Sequence, residues 1–258
     1  MDAGTARAEC GKSRSGLGPT SFNPNAIARL LLAGCALAAA GVALPACAQV
    51  SASIGLESDY RFRGRTLSDS HPVATADIGY DDRSGVYLGG AVTAVVTGSD
   101  IGILNVQGNI GFAKRLSSSL TLDVGVARSQ YTSRLRSRAV HYTEFYAGLS
   151  RHGFSTRLYY SPDYLTPGVG TLYGELDYAM SPADKWQLSA HAGKLVFVAN
   201  RPAFAPRLGS YDWRVGVSRQ LGRFSANGAL VGGGPGQEYY GGELHKRVAL
   251  VAGVRFAF

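Results

Sequence analysis

Charged side chains recur at every second position along much of this 258-residue chain. The clearest series is Glu57, Asp59, Arg61 and Arg63. Because alternate residues of a β-strand point to the same face, this series would place two acids and then two bases in one row. Rows of opposite charge around a water-filled pore create a transverse field and set a preference among ions. The spacing therefore predicts that these four residues face the lumen of a pore.

The same alternation places more charged residues on the polar faces of other segments. Together with the first four they form the predicted pore lining: Asp77, Asp123, Glu144, Arg157, Glu175, Asp177, Asp212, Arg214, Arg247 and Arg255. The structural alternative is that these charges pair with one another and seal the lumen, because a small barrel is narrow once long side chains fill it. We favour an open lumen, with a sealed barrel as the alternative.

The sequence does not indicate a catalytic or metal site. A hydrolase needs a nucleophile and a base in contact, and Ser189 and His191, two residues apart on one predicted strand, are too far apart for an ideal contact. The chain has no G-x-S-x-G motif and no histidine pair at H-x3-H spacing. We therefore predict no enzyme, no catalytic residue, no metal and no cofactor, with an outer-membrane hydrolase as the least favoured alternative.

Basic residues outnumber acidic ones, 26 to 18. Nucleic-acid binding proteins gather such residues into a patch or stripe. Here the bases are spread one or two per segment, and their densest group, Arg134, Arg136 and Arg138, falls in a predicted loop. We predict no nucleic-acid partner.

The elements that position these charges are short segments with alternating apolar and polar residues, the period of β-strands. About 12 such segments follow one another, an even number as in single-chain bacterial barrels. They cover residues 50–62, 73–80, 85–96, 101–112, 120–127, 142–149, 154–160, 172–180, 186–193, 211–217, 224–231 and 248–258. Short connections alternate with longer ones such as 65–72, which predicts short periplasmic turns and longer extracellular loops.

The fold class that these segments predict is all-β: an antiparallel transmembrane β-barrel of about 12 strands. No apolar run of 18 residues follows the first 48, so no membrane-spanning helix is predicted. A soluble β-sandwich is the alternative, but its buried faces should be richer in large residues than in Ala and Gly. Aromatic residues near the strand ends, Tyr60 and Phe62 among them, are predicted to form girdles at the membrane interfaces.

The first 48 residues have the features of a signal peptide. Basic residues precede an apolar run at 30–44, which ends in Pro45-Ala46-Cys47-Ala48. This order of regions predicts cleavage after Ala48 and a barrel over residues 49–258. Leu32-Ala33-Gly34-Cys35 resembles a lipoprotein processing box, but only five apolar residues separate Arg29 from Cys35, and more apolar sequence follows the cysteine. All three cysteines lie within this leader.

The C-terminal segment is apolar at every even position from Val248 and ends on an aromatic residue. It resembles the last strand of outer-membrane barrels, whose end is read by the assembly machinery. The resemblance implies that Val254, Phe256 and Phe258 form the assembly signal. The lipid bilayer and lipopolysaccharide are then expected partners.

The segment Ser53-Ile54-Gly55-Leu56-Glu57-Ser58-Asp59-Tyr60-Arg61-Phe62-Arg63-Gly64 resembles the opening strand of the TorF family of porins. The serine-containing loop that follows, and Gly85-Val86-Tyr87-Leu88-Gly89, also fit this family, whereas Arg65 stands where we expect a small or apolar residue. The resemblance implies a barrel in the outer membrane of a Gram-negative bacterium that passes small hydrophilic solutes or ions passively. A non-conducting structural or adhesive surface barrel is the alternative.

Overall fold

The computed structural model describes residues 48–98, 100–132, 140–203, 205–235, 238–240, 243–245 and 247–258. The predicted leader lies outside these residues except for Ala48, with which the first strand begins. Across the described ranges, no helix is long and apolar enough to span a bilayer.

Sixteen strands form within the described residues, and their bounds follow in chain order. They are β1 (Ala48–Glu57), β2 (Arg61–Phe62), β3 (Arg65–Thr66), β4 (Val73–Asp82), β5 (Val86–Thr97), β6 (Asp100–Arg115), β7 (Thr121–Tyr131), β8 (Val140–Arg151), β9 (Phe154–Ser161), β10 (Gly170–Ala183), β11 (Trp186–Ala199), β12 (Ser210–Leu221), β13 (Phe224–Gly234), β14 (Glu238–Tyr240), β15 (Glu243–His245) and β16 (Ala249–Ala257). The short pairs β2–β3 and β14–β15 form two separate ribbons.

The other strands close into one antiparallel barrel of 12, in the order β1-β16-β13-β12-β11-β10-β9-β8-β7-β6-β5-β4. Strand β1 closes the ring because it pairs with both the last strand and β4, so that Ile54 lies opposite Phe256 on one side and Ala76 on the other. The predicted fold class and the predicted strand number are both confirmed.

The apolar side of each barrel strand faces outward. Val215 is 58% exposed and Ile78 57% exposed, each near the middle of its strand, and Ile110, Phe145 and Leu176 are also exposed. A soluble β-sandwich would bury such residues between its sheets. An apolar exterior with polar residues inside is the arrangement of barrels that cross a bilayer.

The connections differ in length between the two ends of the barrel. At one end, hereafter the short-turn end, the strands are joined by residues 83–85, 116–120, 152–153, 184–185 and 222–223. Both Ala48 and Phe258 lie at this end, where Ala48 pairs with Asp82 and the Phe258 amide donates to the Ala52 carbonyl. The opposite, long-loop end carries the longer connections and the short link after β5.

The first strand ends at Glu57, and the prediction of one strand over residues 50–62 was wrong. Residues 58–72, which we call the inward hairpin, fold into the lumen, although 65–72 was predicted to be an external loop. The buried carboxylate of Asp59 holds this turn together. It accepts hydrogen bonds from Thr66 Oγ1 at 2.6 Å and Ser68 Oγ at 3.0 Å, and pairs with Arg61 Nε at 2.6 Å.

The inward hairpin also changes the place of two aromatic residues. Tyr60 and Phe62, predicted to belong to an interface girdle, pack inside the barrel at the long-loop end. They lie against a buried cluster of Val73, Val95, Leu104, Tyr131 and Tyr142. Burial raises the pKa of the Tyr60 phenol, which here contacts the Asn105 amide at 3.2 Å. The alternation of apolar and polar residues continues through the hairpin. The sequence pattern therefore could not distinguish this hairpin from a longer straight strand.

Because the outward face is apolar, we expect a charged residue there to destabilise the barrel by an amount that depends on its depth in the bilayer. Replacing Val215, at mid-strand, by Arg should lower the free energy of unfolding by ~2–4 kcal/mol, because arginine at the bilayer midplane loses its hydration. The measurement is denaturant unfolding of the protein in lipid vesicles.

Leu221→Arg on the same strand is the matched control. Leu221 ends β12, two residues after Arg219, which lies over the Trp186 ring at 5.1 Å, so this end already holds a cation. The Leu221→Arg substitution should lower the free energy of unfolding by only about 0–1 kcal/mol. Equal costs for the two substitutions would contradict a lipid-facing exterior.

Candidate functional site

A polar cavity of about 410 Å³ lies inside the barrel beside the inward hairpin. The hairpin forms one side, and the walls of β6 to β13 form the other. Its lining includes eight acidic, basic or histidine side chains: Arg61, Arg63, Glu144, Arg157, Glu175, His191, Asp212 and Arg214. Alternation along the strands puts these wall residues inside, because their neighbours in the sequence face lipid.

Arg63 joins the inward hairpin to the barrel wall. Its Nη2 lies 2.7 Å from Glu144 Oε1, and the side chains are only 8% and 7% exposed. The guanidinium also lies over the Tyr173 ring, 3.9 Å from its centroid, and 5.2 Å from that of Tyr164. Because water is excluded here, both the ion pair and the cation–π contacts are stronger than they would be at a surface.

Gly64 brings the tip of the hairpin into contact with the wall. Its φ of +76° lies in the left-handed region that favours glycine. A Cβ atom at this position would lie 2.8 Å from both Asp212 Cβ and the Gly232 carbonyl oxygen. Any larger residue would therefore push the hairpin away from β12 and β13.

A second network runs along the wall from β7 to β10. Arg157 pairs with Asp123 and donates to Tyr159 Oη at 3.1 Å. The Tyr159 hydroxyl in turn donates to Glu175 Oε1 at 3.1 Å. The network alternates acid, base, hydroxyl and acid, so that each charge on this wall faces an opposite charge or a hydrogen-bond partner.

The third network is centred on His191 of β11. Its Nδ1 lies 2.8 Å from Asp177 Oδ1 and its Nε2 lies 2.9 Å from Asp212 Oδ1. The Tyr173 hydroxyl lies 3.1 Å from the same Nε2 and donates to Asp212 Oδ1 at 3.1 Å. Both ring nitrogens thus contact carboxylates, whereas Ser189, the nucleophile considered from the sequence, is not among these partners.

The structure distributes the predicted pore-lining residues over several places. Seven line the cavity: Arg61, Arg63, Glu144, Arg157, Glu175, Asp212 and Arg214. Five others form ion pairs on the wall or in the hairpin. Asp59 pairs with Arg61, Asp123 with Arg157 and Asp177 with His191. Asp77 and Arg255, both predicted, pair with each other at 3.3 Å. Glu57 ends β1 opposite Val73, and Arg247 is exposed before β16 begins.

Sequence reasoning considered His191 only as a possible catalytic base, left it out of the predicted pore lining, and missed the tyrosines that hold the charges in place. Tyr87, for example, donates to Asp123 and contacts Tyr146 Oη at 2.6 Å. The signal was present in part, because His191 shares the inward face with Ser189 on its strand. Its partners lie on neighbouring strands, however, and only the register of β10, β11 and β12 brings them together.

We expect the buried contact of Arg63 with Glu144 to hold the inward hairpin in place. Arg63→Ala would leave Glu144 buried without its partner, a change that costs ~3–5 kcal/mol. Backbone amides of residues 58–72 should then exchange with solvent at least about a hundredfold faster, since ~1.4 kcal/mol corresponds to a factor of ten. Hydrogen exchange followed by mass spectrometry in detergent micelles measures this.

Arg255→Ala is the control for this measurement. Arg255 pairs with Asp77 at 3.3 Å, and its side chain is 48% exposed, so its loss should cost about 0–1 kcal/mol. If Arg63→Ala leaves exchange in the hairpin unchanged, Arg63 does not hold it.

Two solved structures share this architecture. The KdgM porin is 12% identical, with a TM-score of 0.51, and the match covers 81% of this chain and 99% of that chain. The NanC porin is 10% identical, with a TM-score of 0.55, and the coverage is again 81% and 99%. At such identities the likeness concerns the fold: both are porins, and this chain has a porin-like barrel.

The sequence comparisons give a family but no characterised relative. No curated protein matches the chain. A family model described as "Bacterial protein of unknown function (Gcw_chp)" matches residues 41–251. Because this match covers most of the sequence, the chain belongs to the Gcw_chp family of bacterial proteins.

Proposed function

We propose that the protein is an outer-membrane channel, not an enzyme, through which small hydrophilic solutes or ions diffuse passively. The observation that carries this proposal is the cavity of about 410 Å³ inside the barrel, lined by charged side chains of both signs. An interior that only stabilised the barrel would be close-packed, without a cavity of this size. The porin-like fold supports the same conclusion.

The orientation follows from the two ends of the barrel. In this proposal the short-turn end faces the periplasm and the long-loop end faces the outside, where lipopolysaccharide is the neighbouring lipid. Residues 1–48 act as the signal peptide, and Val254, Phe256 and Phe258 as the signal for the assembly machinery. Membership of the TorF family, which the segment 53–64 resembles, belongs to the same proposal.

Selectivity would arise where the inward hairpin narrows the lumen. Arg61 and Arg63 lie on the hairpin, and Glu144 and Glu175 lie on the facing wall. A solute in the cavity beside these contacts would meet the transverse field between the hairpin and the wall, which orients dipolar molecules and discriminates between ions. The remaining predicted lining residues would set the potential on either side of this narrow region.

The inward hairpin also supports a second candidate, a sealed barrel with a structural or adhesive role. The contact between Arg63 and Glu144 is buried, and the aromatic cluster around Tyr131 and Tyr142 fills part of the long-loop end. In a sealed barrel the charges pair to satisfy one another rather than to select solutes. The two candidates differ in whether the native protein conducts ions.

Single-channel current in a planar bilayer under a salt gradient separates these candidates. The purified protein should give discrete conductance steps. Arg61→Ala with Arg63→Ala removes two positive charges from the narrow region, and the reversal potential should shift toward cation preference. Glu144→Gln removes a negative charge at the same place and should shift it in the opposite sense.

Arg219→Ala, on the outer face near Trp186, is the matched control and should leave the reversal potential unchanged. If the reversal potential is unchanged in all the lumen variants, these residues do not set the ion preference. If the native protein inserts but is silent, while a variant with residues 58–72 replaced by a short Gly-Ser linker conducts, the sealed barrel is the correct function.

A further inference from the structure

The lumen wall contains a group of side chains whose arrangement suits a metal ion better than a solute. Glu175 and Asp177 lie on β10, and His191 lies on β11. Asp177 is directly opposite His191 in the strand register. Each residue offers one ligand atom, and these atoms all lie within 4.8 Å of one another.

Gly193 makes room for this convergence. It lies opposite Glu175 on β10 and opposite Asp212 on β12, between the two carboxylates. A Cβ atom on Gly193 would lie 2.1 Å from Tyr173 Oη and 2.8 Å from Asp212 Oδ2. Any other residue at this position would displace the groups that hold His191, so the glycine is needed for the arrangement.

We propose that Glu175, Asp177 and His191 bind a divalent transition-metal ion such as Zn²⁺ on the lumen wall. Imidazole nitrogen and carboxylate oxygen are ligands that Zn²⁺ accepts at about 2.0–2.2 Å. Two such ligands at a tetrahedral angle are about 3.4 Å apart, so the contact of 2.8 Å between His191 and Asp177 must open by only about half an ångström.

Asp212 serves as the positioning residue of the site. It is 6% exposed and lies 2.9 Å from His191 Nε2. A histidine that ligates a metal through one nitrogen usually donates the other N–H to a carboxylate, which fixes the tautomer and the ring orientation. Asp212 and the Tyr173 hydroxyl supply this support, and they leave Nδ1 directed toward Asp177.

The balance of charge around the group also suits a cation. Three carboxylates, those of Glu175, Asp177 and Asp212, surround one imidazole. Three guanidinium groups lie around the site. Arg157 pairs with Asp123, Arg63 pairs with Glu144 and lies over the Tyr173 ring, and Arg214 is opposite His191 in the register. Because Glu175, His191 and Asp212 line the cavity, an ion can reach the site from the lumen.

This inference goes beyond passive diffusion, and binding can be measured without any conductance. The test is calorimetric titration of the full chain in detergent micelles with ZnCl₂ after treatment with EDTA. The protein carries no histidine tag, and its thiols are alkylated so that cysteines do not contribute. The expected result is one Zn²⁺ per chain, and Co²⁺ bound in its place should show visible absorption bands that differ from those of the aqueous ion.

Variants test which residues hold the ion. His191→Gln and Asp177→Asn should abolish stoichiometric binding, and Asp212→Asn should weaken it ~10–100-fold. Asp77→Asn removes a lumen carboxylate near Arg255, away from the site, and should bind Zn²⁺ as the native chain does. Circular dichroism and heat-modifiable mobility on gels establish that each variant is folded.

Three results would overturn the proposal. They are the absence of stoichiometric Zn²⁺ and Co²⁺ binding to the native chain, retained binding in folded His191→Gln, and equal weakening by Asp77→Asn and Asp177→Asn. The last result would mean that Zn²⁺ is attracted only by the general charge of the lumen. Since none of these measurements involves current, a failure of the metal site is distinguishable from a failure of the channel function.

Discussion

Closure of the hydrogen-bonded ring is the constraint on which the rest of this structure depends. Inside a bilayer no water is available for unpaired backbone groups, so a spanning sheet must have no free edge. Strand β1 meets this requirement by pairing with β16 as well as β4. Closure then fixes which side chains face lipid and which face the interior, because alternation leaves each residue only these two choices.

The interior that results is polar, and its charges must be satisfied locally. Three networks do this: the contact of Arg63 with Glu144, the series from Asp123 to Glu175, and the group around His191. Each extends over neighbouring or facing elements, so its geometry depends on the barrel being closed. The networks differ in exposure, from the buried Arg63 contact to the half-exposed Asp177, and this difference separates parts that hold the fold from parts that can meet a solute.

The inward hairpin contributes both to the stability of the barrel and to the charge of the lumen. Burial of Arg63 costs hydration, and the loss is offset by Glu144 and by the rings of Tyr173 and Tyr164. The same contacts place positive charge inside the lumen, beside the polar cavity. The ion pair, these ring contacts and the packing of Tyr60 and Phe62 thus hold a charged hairpin inside the barrel without a second domain.

The barrel could be predicted from the sequence alone, because only a closed ring satisfies the backbone groups of many short strands in a membrane. The sequence also placed Glu144, Arg157, Glu175 and Asp212 on inward faces, since face depends only on parity along a strand. It could not show that the chain leaves the wall after Glu57, because alternation continues through Tyr60 and Phe62 in the hairpin. The inward path of the chain depends on the Asp59 turn and on the contact of Arg63 with Glu144. The meeting of Asp177, His191 and Asp212 depends on the register of β10, β11 and β12. Both depend on residues far apart in the chain that meet only when the ring closes.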